Sequence, residues 1–111
     1  MAKYIIKCEI EGLYGDAQPG EYSLSWNTIG KKTLVSGVLD FPNEIRKNER
    51  INLTNKGREI SELVVNASHD LKNGCTVLSL EKKVAKSSES EADAKSEFNR
   101  MVREYSFIEK L

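Results

Sequence analysis

The chain has 111 residues, 39% hydrophobic and 31% charged, with seventeen basic against seventeen acidic side chains and a formal charge of zero. That length suits one domain with a modest core, and the mixed charge is that of a globular rather than a disordered chain. Zero net charge gives no global field to draw in nucleic acid or an anionic membrane, so any electrostatic function must be local.

The N-terminus MAKYIIKCEIEG lacks the long apolar core of a secretory signal. No run approaches the roughly 20 apolar residues of a membrane-spanning helix. A cytoplasmic protein is expected, and with it Cys8 and Cys75 as buried thiols.

Residues 4–10 alternate in steps of two. Tyr4, Ile6, Cys8 and Ile10 fall on one face, which reads as a half-buried strand. The stretch 12–20, GLYGDAQPG, reads as a long hairpin loop presenting Tyr14. Tyr22, Leu24 and Trp26 alternate again as a second strand, and 27–32 reads as a turn around Gly30. Residues 33–39, TLVSGVL, are apolar on both faces and predict a covered central strand. Pro42-Asn43 ends it, and 51–53 offers a short fourth strand.

Thr54 or Asn55 can cap a helix. Ile60, Leu63, Val64, Ala67 and Leu71 recur at three and four and predict that helix, closed by Asn73-Gly74. Residues 75–84 return to strand, and 86–91 read as a polar linker. Ser90 with Asp93 resembles a capping box. Ala94, Phe98, Met101, Val102, Tyr105 and Ile108 then mark an amphipathic helix over 92–111. The order is β-β-β-(β)-α-β-α. The expectation is a single α+β domain over 1–111: a mostly antiparallel sheet of four or five strands, covered on one face by two helices. Residues 1–85 would hold the sheet and first helix.

No catalytic, cofactor or metal pattern emerges. His69, the only histidine, lies opposite the apolar stripe, and two cysteines cannot build a zinc site. The glycines of 12–20 have neither dinucleotide nor P-loop spacing. Phe107 and Val65 fall off the stripes of their predicted helices, so with Tyr14 they are the candidate partner contacts. One local charge excess stands out: Arg46, Lys47, Arg50, Lys56 and Arg58 against Glu49.

Leu34, Val35, Asp40, Arg46, Arg50, Leu53, Thr54 and Gly57 carry a resemblance over about a quarter of the chain. The segment around them resembles the wing and following helix of MarR-type winged-helix regulators. The resemblance implies DNA contact by the basic residues. That family places its recognition helix before the wing, whereas residues 3–40 here read as strands.

These features point to a non-catalytic interaction protein of regulator, inhibitor or immunity type, binding a protein partner or a second copy as a homodimer. The alternatives are a nucleic-acid-associated regulator using 46–58, and a small-ligand binder whose 12–20 loop closes over a pocket.

Overall fold

A computed structural model of the chain describes residues 2–17, 24–72 and 74–111. Seven strands lead to one helix: β1 (Ala2–Ala17), β2 (Leu24–Val35), β3 (Leu39–Phe41), β4 (Arg50–Asn55), β5 (Arg58–Asp70), β6 (Cys75–Leu80), β7 (Lys83–Ser87) and α1 (Glu91–Tyr105). A 3-10 turn, Ser106–Lys110, follows. The hydrogen-bonded order is β2-β1-β6-β5-β4, with β3 and β7 also paired to β1. β1 runs parallel to β6 and β7 and antiparallel to β3. The expected antiparallel sheet under two helices is therefore corrected to a seven-stranded mixed sheet with a single C-terminal helix.

The missing helix is β5. Asn55-Lys56-Gly57-Arg58 closes a two-residue hairpin in which Lys56 and Gly57 have φ of 51° and 79°. Positive φ at both central residues makes this a type I′ turn, whose twist suits antiparallel strands. Thr54 and Asn55 thus end a strand instead of capping a helix. The helical spacing has a local origin. β5 carries an irregularity between Val64 and Asn66. Ile60 and Val64 face the core, the extra residue shifts parity, and Ala67 then pairs with buried Leu78. Spacings of four and three result without any helix. Leu63 points to the opposite face from Val64, and Leu71 is 89% exposed in the turn before β6. Gly74 does adopt positive φ, at 65°, but in that turn, where its amide donates to the Asp70 carbonyl. Tyr22, Asn73 and residues 18–20 of the expected loop lie outside the described residues.

The chain divides into two compact units. The first comprises Met1–Cys8, Leu34–Glu81 and Ser106–Leu111. Its core takes the apolar face of β1 as the alternation predicts: Tyr4, Ile6 and Cys8 are buried. Leu34, Ile51, Leu53, Val64, Cys75, Leu78, Leu80, Phe107 and Ile108 complete it. Both cysteines are buried thiols. The Tyr4 hydroxyl accepts from the Ile45 amide at 2.8 Å, and the Tyr4 ring meets Phe41 edge-on with centroids 5.5 Å apart.

The segment expected to be a covered central strand is instead interrupted. β2 ends at Val35, β3 begins at Leu39, and Val35 and Val38 are about half exposed. Ser36 bridges the break. Its amide donates to the Ile6 carbonyl at 2.9 Å, and its Oγ accepts from the Ile6 amide at 2.8 Å while donating to the Gly37 carbonyl. A side-chain oxygen thus replaces a ladder carbonyl.

The second unit comprises Glu9–Thr33 and Lys82–Tyr105. Here β1 extends through residues expected to be loop, and β2 through the expected turn at 27–32. Gly12 and Gly30 serve as flat seats rather than turn residues. A Cβ on Gly12 would stand 2.8 Å from Cβ of Phe98, and one on Gly30 would stand 2.6 Å from Cε1 of Phe98. The bare backbone at both positions lets α1 lie close, with its Phe98 ring across them.

α1 itself follows its sequence signals. Ser90 Oγ accepts from the Asp93 amide at 3.0 Å, as an N-cap does. Glu91 and Asp93 sit in the first turn and Arg103 in the last, matching the helix dipole. Arg100 donates to Glu97 and Glu104, and the hydrogen bond to Glu97 leads in raising its pKa. The helix stops at Tyr105. The change to 3-10 geometry, with about three residues per turn, brings Phe107 and Ile108 together into the first unit's core.

Two stability outcomes follow. Ser36→Ala orphans the buried Ile6 amide and should cost about 1–3 kcal/mol in a urea melt. Gly12→Ala should cost about 1–3 kcal/mol through overpacking, and more than Gly30→Ala. Gly12 abuts the backbone end of Phe98, while Gly30 abuts the outer edge of the ring, which can swing away.

Candidate interaction surface

The structure disperses the residues that sequence reasoning put forward. Phe107 is only 8% exposed, so the exposure on which its role as a partner contact rested is not there. Tyr14 is half-buried within β1, opposite Ser87 of β7, rather than at a loop tip. Val65, 37% exposed, is the residue displaced by the β5 irregularity.

The five basic residues are all exposed, but they do not form one patch. Arg46 and Lys47 precede β4, and Arg50 opens it. Lys56 and Arg58 sit at the far end of the hairpin. Register puts Arg50 on the face of Leu63, and Arg58 on the opposite face with Asn55, Leu53 and Ile51. Arg46 pairs with Glu44 at 3.5 Å, and Arg50 reaches Ser61 Oγ at 3.5 Å. The segment resembling a wing is thus a β-hairpin with no helix after Thr54, and no helix precedes it among the described residues. His69 is exposed, with Nδ1 3.3 Å from Thr76 Oγ1.

A different surface emerges on the second unit. Parallel register with β7 puts Ile10, Gly12 and Tyr14 on one face with Lys83, Ala85 and Ser87. This is the α1 side, where Lys83 Nζ stands 5.3 Å from the Tyr105 ring centroid. Glu11 and Leu13 share the other face with Val84 and Lys86. Val84 is 38% exposed there, and Lys86 Nζ lies 5.3 Å from the centroid of Trp26, itself 43% exposed. A cation over an indole is a stabilising contact that leaves the rest of the ring exposed.

At one end of this face, Glu11 accepts from Lys82 at 3.0 Å and has Lys31 at 4.0 Å. Residues 9–11, 31–33 and Lys82 enclose a cleft of about 170 Å³ there. A second cleft, about 280 Å³, lies in the first unit between residues 41–45 and 49–52. Both fall short of the roughly 300–1,000 Å³ of small-molecule pockets. Among the described residues, no group of His, Cys, Asp and Glu could hold a metal ion. Among the same residues, no helix is long and apolar enough to cross a membrane.

Trp26 was legible as a strand residue, not as an exposed one. The signal was its surroundings: Ser25, Asn27 and Thr28 are all polar, and all are exposed. Comparison with protein-family models, curated proteins and solved structures finds no match to this chain.

Trp26 is the chain's only tryptophan, so emission excited selectively over the four tyrosines reports on this site alone. Emission should be red-shifted in the native protein and readily quenched by iodide. Blue-shifted, quencher-resistant emission would mean that the ring is covered.

Proposed function

We propose that the protein is a small non-catalytic interaction module, of regulator, inhibitor or immunity type, that binds a protein partner through the Trp26 face of its second unit. The observation that carries this reading is the exposed indole of Trp26, with Lys86 Nζ 5.3 Å from its ring centroid. A tryptophan loses little side-chain entropy on binding and offers a large apolar area with one polar N–H, which is why such residues dominate interface energetics. Leaving it in water forgoes burial free energy that a partner surface would recover. Neutral net charge favours a partner recognised by shape and apolar contact over a polyanion. The separation of the basic residues across both ends and both faces of a hairpin weighs against the nucleic-acid reading, and the small clefts weigh against a ligand carrier.

Wild type and Trp26→Ser, each immobilised at equal density, should be compared as baits in extract of the native host. The wild type is expected to retain a protein that the variant loses, with both melting at closely similar temperatures. Equal capture by the two baits, or capture that nuclease abolishes, would overturn the proposal.

A further inference from the structure

β4 ends the hydrogen-bonded strand order, and among the described residues no strand pairs with its outer edge. The type I′ turn defines which groups that edge presents. A two-residue loop makes Asn55 and Arg58 the hydrogen-bonded closing pair. Antiparallel ladders alternate, so Leu53–Ile60 and Ile51–Glu62 bond inward as well. The next pair in this alternation agrees: Val64 N donates to the Glu49 carbonyl at 2.9 Å, and Asn48 N donates to the Val64 carbonyl. The amides and carbonyls of Arg50, Asn52 and Thr54 therefore point outward, and all three residues are exposed.

Edge strands are usually guarded by charge. The other terminal strand, β2, carries Lys31 and Lys32 in its length. β4 is uncharged from Ile51 to Asn55. We propose that β4 pairs antiparallel with β4 of a second copy, in the register that sets Asn52 opposite Asn52. This contact is independent of the Trp26 face.

The register follows by elimination. Pairing must oppose outward-pointing residues to one another and must keep each face with its like, so the two-fold axis passes through one of the residues from Arg50 to Thr54. An axis at Arg50 opposes arginine to arginine. An axis at Ile51 opposes Thr54 to Asn48, whose φ of 74° takes it out of extended backbone. An axis at Leu53 or Thr54 brings Arg50 against Lys56 or Arg58, respectively, at the hairpin turn of the other copy. Like charges directly opposite are destabilising. An axis at Asn52 opposes Arg50 to Thr54 and Ile51 to Leu53, with no like-charge pair. Two asparagine side chains then meet across the axis, each offering a donor and an acceptor to the other.

This register makes Thr54 a test position, since it faces Arg50 of the other copy twice in each dimer. Sedimentation equilibrium over a concentration series should show a reversible monomer–dimer equilibrium for the wild type. Thr54→Glu should tighten it and Thr54→Arg weaken it, each by roughly tenfold in Kd, with unchanged far-ultraviolet dichroism. Hydrogen exchange provides a second measurement on the unmodified protein. The amides of Arg50, Asn52 and Thr54 should slow as concentration rises, while those of Ile51 and Leu53 stay protected throughout. A wild type that remains monomeric with fast exchange at these three amides would overturn the proposal. So would a dimer whose Kd is the same in both Thr54 variants. Either result would leave the Trp26 experiment untouched.

Discussion

The backbone of β1 is the element on which the architecture depends. Sixteen residues of extended chain present amide and carbonyl groups along both edges, and buried groups of this kind must be paired. No single partner satisfies either edge. β6 pairs with residues 4–7 and β7 with residues 10–14, both parallel, with a break at Glu81-Lys82. β3 pairs with residues 2–4 and β2 is also a neighbour, with a break at residues 36–38. Two partners are parallel, so the chain must travel through β2 to β5 before it can return beside β1. That requirement, more than any local propensity, orders the strands.

The breaks are managed by specific chemistry. Ser36 supplies both backbone and side-chain groups to Ile6, so the amide and carbonyl of Ile6 are both satisfied where β2 gives way to β3. In the second unit the limiting quantity is distance. α1 approaches because Gly12 and Gly30 have no Cβ, and Phe98 occupies the space their side chains would have taken. Glycine inside a strand weakens it, and here the close helix contact is what offsets that loss. The same two glycines explain why a loop and a turn seemed plausible from the sequence: the residue type signals backbone freedom and close packing alike.

The functional reading turns on surfaces that the fold leaves uncovered. One side of the second unit's strands is covered by α1, and Ala85 and Ala94 are buried there. The other side has Leu13, Val84 and Lys86, with the Trp26 ring beside Lys86. In the first unit the outward edge of β4 has hydrogen-bonding groups instead of apolar area. The two features differ in chemistry, one recognising a surface by apolar contact and the other a strand by its backbone.

Much of the local structure was legible in the sequence because it rests on interactions within a few residues. The alternation of Tyr4, Ile6, Cys8 and Ile10 marked the buried face of β1. The Ser90 cap and the spacing of Ala94, Phe98, Met101 and Val102 marked α1. What misled was a pattern with two physical origins. Ile60, Val64 and Ala67 have helical spacing because an irregularity in β5 shifts its parity, and only pairing with β6 reveals the shift. Phe107 looked exposed on a helix that in fact ends two residues earlier, its 3-10 turn held by packing against residues distant in sequence. Trp26 alternates with Leu24 as a strand residue does, yet the tertiary structure leaves its ring 43% exposed. Periodicity along a chain determines which residues share a side. Whether that side is buried depends on what the rest of the chain brings to it, and that only the tertiary structure decides.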